Sequence, residues 1–299
     1  LVGSEMCIRD RPSRQVAARM SRVDPIAADE TPPGVAARRT LRWCKGERST
    51  IVDSVAEEVP VAMHYNGVPF SVMMATPSDL EDLALGFSLT EGLITDAAEL
   101  IEVEVSPCIE GVELRMQVAS TASAASLQAG SARALPSRSG CGLCGARLLE
   151  DVMRRIPPIE RPSTFPLASL RLALSSLPGM QPMNVATGST HAAAWVQADG
   201  RITHVREDVG RHNALDKLVG GLRHASVSTD AGLVLISSRA SYEMVSKAAH
   251  AGMAVVAAVS APTALAIDLA NAASICLIGF ARPDRFNVYS HPERLLGFD

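Results

Sequence analysis

Apolar and polar residues alternate over much of the first half of the chain and gather into short, almost wholly apolar blocks in the last third. The two patterns predict different architectures. Residues 59–75 alternate on either side of Asn66-Gly67, a dipeptide that tolerates the left-handed backbone of a two-residue turn, and so predict a β-hairpin. Ser78-Asp79-Leu80-Glu81 has capping-box spacing, with Ser78 as N-cap and Glu81 reaching back. It opens a predicted helix to about Leu93, in which Leu80, Leu83, Ala84, Phe87 and Leu89 are apolar. Residues 101–105 and 112–118 predict a further pair of strands. Residues 183–196 and 201–206 predict two more, joined at Asp199-Gly200, with a helix following over 213–222. The last third has a regular rhythm. Strands are predicted at 232–236, 253–259 and 274–280. Between them lie a helix over 242–251 closed by Gly252 and one opened by Pro262 or Thr263 and running to Ala273. Strand-helix-strand-helix-strand argues a parallel sheet with covering helices. Such sheets bind ligands beyond the carboxyl ends of their strands, here Ser237-Ser238-Arg239, Ser260-Ala261-Pro262 and Phe280-Ala281-Arg282.

Other segments lack such periodicity. Residues 119–140 are rich in Ala and Ser, lack aromatics and carry Pro136 and Arg138, which predicts a mobile loop. Helices are expected over 146–156, stopped by Pro157-Pro158, and over 167–177. The first dozen residues read as a foreign assembly scar, so Cys7 is given no role, and residues 13–40 read as a disordered polar stretch. Order is expected from near Arg48. The expected division is a tail (1–47), an N-terminal α+β portion (48–118), a mobile Cys-bearing loop (119–145) and a C-terminal α/β core (146–299), with no internal repeat.

Composition narrows the field. In 299 residues, 47% of them hydrophobic, there is enough apolar material for a sizeable core. A net charge of -4 argues against bulk nucleic acid or a membrane surface as partner. No apolar run approaches the roughly 20 residues of a membrane span; the most apolar region, 232–280, is broken by Arg239, Glu243, Lys247, His250 and Asp268. Six cysteines in a chain of this length are too few for a disulfide scaffold, and no basic-then-apolar leader is visible. The expected compartment is the reducing cytoplasm.

Four segments carry chemistry. Gly140-Cys141-Gly142-Leu143-Cys144-Gly145 sets two thiols three positions apart between glycines, just before a predicted helix. Helix N-termini and the nearby Arg138 and Arg147 favour thiolate. Three chemistries fit: half a zinc site with His191 and another Cys, a redox pair, or sulfur transfer through a persulfide. Cys276, in a strand, reads as core. Thr187-Gly188-Ser189-Thr190-His191 suits a pocket floor against a phosphate or sugar, or a tight strand with His191 bonded in the core. Residues 206–217 place seven charged or histidine residues in twelve. This density suits polar ligand recognition beside a helix N-terminus, with a carboxylate reading a guanine edge and Arg211 a phosphate. Phe280-Ala281-Arg282-Pro283-Asp284-Arg285 follows the last parallel strand; Arg282 and Arg285 can clamp pyrophosphate, and Phe280 can lie against a ring.

Taken in order, LEDLALGFSLTEGLI (80–94), CGLCG (141–145), TGSTHAAA (187–194), VREDVGRHNALDK (205–217), SSRASYEMVSKAAHAG (237–252) and AVSAPTALA (258–266) resemble the formate dehydrogenase accessory sulfurtransferase family, FdhD. VREDVGRHNALDK is the most specific of these strings. The resemblance implies a cytidine-deaminase-like three-layer α/β core with a mixed sheet, carrying a smaller N-terminal α+β portion, and a homodimer. It implies a sulfur carrier that takes persulfide sulfur from a cysteine desulfurase. The sulfur passes to the molybdenum cofactor with two molybdopterin guanine dinucleotides before insertion into formate dehydrogenase. On the family pattern Cys141 bears the persulfide, Cys144 is auxiliary, and Phe280, Ala281, Arg282, Pro283, Asp284 and Arg285 bind the cofactor, with His191 and Arg211 as further candidates. No metal is expected: the His-x-Glu and Pro-Cys-x-x-Cys elements of the zinc deaminases are absent. Ser189 stands where a smaller residue is expected, and Pro283-Asp284 depart from the family pattern. The rival expectations are a zinc-dependent deaminase-like hydrolase and a non-catalytic chaperone for the cofactor.

Overall fold

Alternation in the first half of the chain does build antiparallel strands. The computed structural model describes residues 31–127 and 158–298. Strands β1 (Val35–Cys44) and β2 (Glu47–Ala56) form a two-stranded ribbon in continuous register from Val35 opposite Ala56 to Cys44 opposite Glu47. The sequence expectation was a disordered tail to residue 47. An arm exposed on both faces needs no apolar period, and its Arg-rich first strand reads as polar coil. The boundary expected at residue 48 therefore falls inside β2.

β3 (Val59–Tyr65) and β4 (Val68–Ala75) form the expected hairpin. Asn66 (φ 49°) and Gly67 (φ 79°) both take the left-handed backbone its turn demands. With β5 (Leu100–Cys108) and β6 (Gly111–Val118) they make a four-stranded sheet ordered β4-β3-β6-β5, in which β3 and β6 run parallel. Helix α1 (Leu80–Thr90) covers it and buries Leu80, Leu83, Ala84 and Leu85 against Val61, Met63 and Leu114. The expected capping box does not form. Asp79 is the N-cap, in a left-handed conformation, with no side-chain cap. Its carboxylate and that of Asp82 face Arg206 instead.

A short β7 (Phe165–Pro166) leads into α2 (Leu167–Ser176) and α3 (Pro182–Thr187). Strand was expected from residue 183. Pro182 at the helix start and left-handed Gly188 at its end (φ 69°) instead bracket one short helix. β8 (His191–Val196), β9 (Ile202–Asp208), α4 (Arg211–His224), β10 (Leu233–Ile236), α5 (Tyr242–His250), β11 (Val255–Ala258), α6 (Ala264–Ala272), β12 (Cys276–Gly279) and β13 (Asn287–Ser290) complete the core, and β14 (Leu295–Leu296) pairs with β7. The large sheet is mixed, ordered β13-β12-β11-β10-β8-β9, with β10, β11 and β12 parallel as their apolar blocks predict. One face packs Ala193, Trp195, Val234, Ile236 and Val256 against α4, α5 and α6. The other packs Ala194, Leu233, Leu235 and Val255 against α2. The fold is mixed α/β, with the smaller α+β sheet joined to the core through α1 and α4.

Candidate binding edge

Register determines what meets at one end of the large sheet. β8 is antiparallel to β10 and β9 antiparallel to β8, so the start of β8 and the ends of β9, β10, β11 and β12 lie on the same edge. His191 lies opposite Asp208. Further along, Ser237 Oγ accepts from the Ala192 amide at 2.8 Å, the Ser260 amide donates to the Ser238 carbonyl at 3.3 Å, and the Phe280 amide donates to the Ser260 carbonyl at 3.1 Å. Helices α4, α5 and α6 all begin here, at Gly210, Ser241 and Thr263. Three helix N-termini and the exposed Arg239 and Arg285 put positive partial and full charges at this edge.

Two imidazoles at this edge resist protonation. Burial, then the neighbouring Arg211 guanidinium, holds His191 below the ordinary histidine range. His212, in the first turn of α4, is pushed down to about 3 by burial and then by Arg211 and Lys247. Both are neutral at pH 7, and the buried Nε2 of His212 has no hydrogen-bond partner among the described residues. His212 was not a sequence candidate; one histidine in a string of charges gave no sign of its burial.

The loop after β12 divides into two kinds of residue. Ala281 is buried. Arg282 turns inward, donating from Nη1 to the carbonyls of Val259 (2.6 Å) and Ala281 (2.8 Å), and so ties the loop to β11. Reciprocal backbone bonds between Arg282 and Arg285 close a tight turn. Phe280, Pro283, Asp284 and Arg285 are exposed, Phe280 in a left-handed conformation (φ 53°). Of the two arginines expected to clamp pyrophosphate, Arg285 is the outward one. Arg171 of α2, absent from the sequence candidates, holds the turn from the other side, its Nε donating to the Pro283 carbonyl at 2.9 Å.

The charged string over 206–217 does different work from that expected. Glu207 accepts from the amides of Met183 and Asn184 (2.9 and 2.8 Å) and from Thr190 Oγ1 (3.0 Å), and so caps α3. Asp208 and Lys217, both fully buried, pair at 2.6 Å. Asp208 also accepts from the Thr76 amide and hydroxyl, the Gly210 amide and Asn213 Nδ2. Asp216 pairs with Lys247 at 3.0 Å, and Lys247 reaches Glu91 at 2.8 Å and Thr90 Oγ1 at 3.0 Å. Burial raises Asp216 to about 6 despite the ammonium beside it. Glu207 is occupied in capping α3, and Asp208 and Asp216 in joining the small sheet and α1 to the core, so none of the three is presented to read a guanine edge.

Cys141 and Cys144 lie outside the described residues, as do Arg138 and Arg147. Cys276 is core, as its apolar strand predicts, and burial pushes its thiol up to about 12. Among the described residues no group of three or more His, Cys, Asp or Glu is placed to hold a metal, and no helix is long and apolar enough to cross a membrane.

Fold and edge together define an α/β protein with three helix N-termini and outward arginines at one edge of its large sheet. The FdhD/NarQ family model matches residues 56–296, and the chain belongs to that family. It is 48% identical over 274 residues to the sulfur carrier protein FdhD of Cupriavidus necator, covering 91% of this chain and 94% of that protein. It is 49% identical to the protein of the same name from Bordetella petrii over 247 residues, 83% of this chain and 88% of the other. Among solved structures it is similar to a protein described as a formate dehydrogenase accessory protein from Desulfotalea psychrophila. That similarity has a TM-score of 0.71 at 25% identity and covers 88% of this chain and all of the other.

Proposed function

We propose that the protein is a sulfur carrier serving formate dehydrogenase, with Cys141 as the carrying thiol. The observation that supports this most strongly is the pairing of a lone CGLCG string with near-full-length relatives named as sulfur carriers. Cys141 thiolate attacks the outer sulfur of a cysteine desulfurase persulfide. The new S–S bond forms as the old one breaks, and the desulfurase cysteine leaves as thiolate. The acceptor, written here as substrate, is the molybdenum cofactor with two guanine dinucleotides. Its phosphates suit the edge built from Arg285, Arg239 and the N-termini of α4, α5 and α6. On transfer the S–S bond would break toward Cys141, which leaves as thiolate; the two electrons that make the outer sulfur sulfide would come from an acceptor whose molybdenum arrives two electrons reduced and rises by two in oxidation state. His191 and His212, uncharged at neutral pH, line the edge without adding to its charge. The carrier works in the cytoplasm as a homodimer. Complementation tests this function: Cys141→Ala abolishes formate dehydrogenase maturation while cofactor binding survives, and Cys144→Ala costs less. Full maturation with Cys141→Ala would overturn the carrier role in favour of a chaperone.

A further inference from the structure

The ribbon of β1 and β2 stands uncovered. Its strands bond only to each other, so the outer backbone edge of β1 has no partner strand among the described residues. The register puts Leu41, Trp43 and Val52 on one face, where they are 61%, 71% and 73% exposed. A two-stranded ribbon standing alone is marginal in water, and three bare apolar side chains on it mark a surface that needs a cover. Its charge is lopsided: Arg38, Arg39, Arg42, Lys45 and Arg48 against Glu47 and Asp53, in a chain of net charge -4.

The small sheet ends in a strand of the opposite character. β5 lies at its edge, bonded only to β6. Residues 100–112 hold Glu102, Glu104 and Glu110 and no basic residue, and Ile101 and Ile109 are 68% and 100% exposed. Arg115 of β6 is shared between Glu104 at 3.5 Å and Glu113 at 2.7 Å, so it does not neutralise the edge. Charges on an edge strand keep other strands of the same sign away. β5 therefore repels a second β5 and β1 a second β1, while each admits the other.

We propose that β1 of one copy pairs with β5 of a second copy, and β5 of the first with β1 of the second, so that two arms are exchanged. The proposal rests on the homodimer of the functional reading above and names the surfaces that meet in it. β1 has ten residues and β5 nine, so each satisfies the open edge of the other along most of its length. Backbone bonding then extends the small sheet of each copy. The same pairing sets the arginines of β1 against Glu102 and Glu104 and gives Leu41 and Trp43 apolar neighbours in Ile101 and Ile109. Two equivalent contacts about a two-fold axis close the assembly at two copies.

Sedimentation equilibrium of the full chain tests it, with circular dichroism checking the fold of each variant. The wild type is a dimer at micromolar concentration. Trp43→Glu raises the dissociation constant by at least about thirtyfold, the effect of losing one aromatic anchor. Arg38→Glu/Arg42→Glu and Glu102→Lys/Glu104→Lys are each monomeric alone, because arm and edge then carry the same sign. Mixed in equal amounts they form a dimer of one copy of each, since both contacts again pair opposite charges. Substitutions that merely damaged the fold would not rescue one another in this way. A dimeric wild type whose arm variants keep its dissociation constant, or a mixture that stays monomeric, would overturn the arm exchange while leaving the homodimer standing. A wild type that is monomeric at every concentration reached would overturn both.

Discussion

Replacing Lys217 with methionine tests the assignment of the 206–217 charges to architecture. The ammonium is fully buried and makes three contacts: Asp208 at 2.6 Å, the Thr76 carbonyl at 3.0 Å and Thr76 Oγ1 at 2.9 Å. Methionine fills similar volume but leaves Asp208 ionised and buried without its cation. Removing one partner of a buried pair typically costs about 3–5 kcal/mol. Asp208 keeps donors from Thr76, Gly210 and Asn213, so the lower end applies, about 3 kcal/mol. For a domain of this size that corresponds to a fall in Tm of about 6–12 °C. Urea unfolding at pH 7, followed by circular dichroism, measures it. The double variant Lys217→Met/Asp208→Asn removes the orphaned charge as well, so it should be more stable than the sum of the single effects by at least about 1 kcal/mol. A cost below about 1 kcal/mol for Lys217→Met, or strict additivity, would refute the pairing as the element that joins α4 to the small sheet.

Helix contact and pH give further predictions. A Cβ on Gly220 would collide with the Asp82 carbonyl and one on Gly86 with that of Asp216, both immovable backbone, so Gly220→Ala should cost about 2 kcal/mol or more in thermal unfolding. Gly179→Ala, with nothing within 4 Å of its Cβ, should stay within about 0.5 kcal/mol. His212 is held at about 3 in the folded protein against an ordinary 6.5, so the unfolded chain binds its proton first. Its contribution to stability is present above pH 6.5 and is lost as pH falls from 6.5 toward 3. The groups that face it, Arg211, Lys247, Glu91 and His191, act in both directions. His212→Gln should therefore flatten the slope of unfolding free energy between pH 6 and 4 by up to about 1.4 kcal/mol per pH unit; equal slopes in variant and wild type would contradict the burial.

Sequence and structure agree where periodicity has a single cause. The Asn66-Gly67 hairpin and the three parallel strands were legible because one-sided burial enforces alternation and two-sided burial enforces apolar runs. The β1–β2 ribbon was not legible, since an arm exposed on both faces obeys neither rule. Residues 182–187 form too short a helix to display a period. The charges over 206–217 were conspicuous, but a buried ion-pair network and a ligand-reading loop have the same composition, and only packing separates them. Lys217 and Lys247, both buried, look like surface residues in sequence. Arg171 gave no signal, because its contact with Pro283 spans 112 positions of the chain. Cys141 and Cys144 were the opposite case. Their spacing was plain from the first, but zinc, redox and sulfur-transfer chemistry share it, and the family membership narrows that choice.

Intact-mass spectrometry with peptide mapping, after incubation with a cysteine desulfurase and cysteine, bears most directly on the carrier role. The predicted result is the gain of one sulfur atom on the peptide containing Cys141, removed by thiol reductant and absent from Cys141→Ala. Wild-type protein that gains no sulfur on either thiol, under conditions in which the desulfurase itself carries a persulfide, would contradict the role.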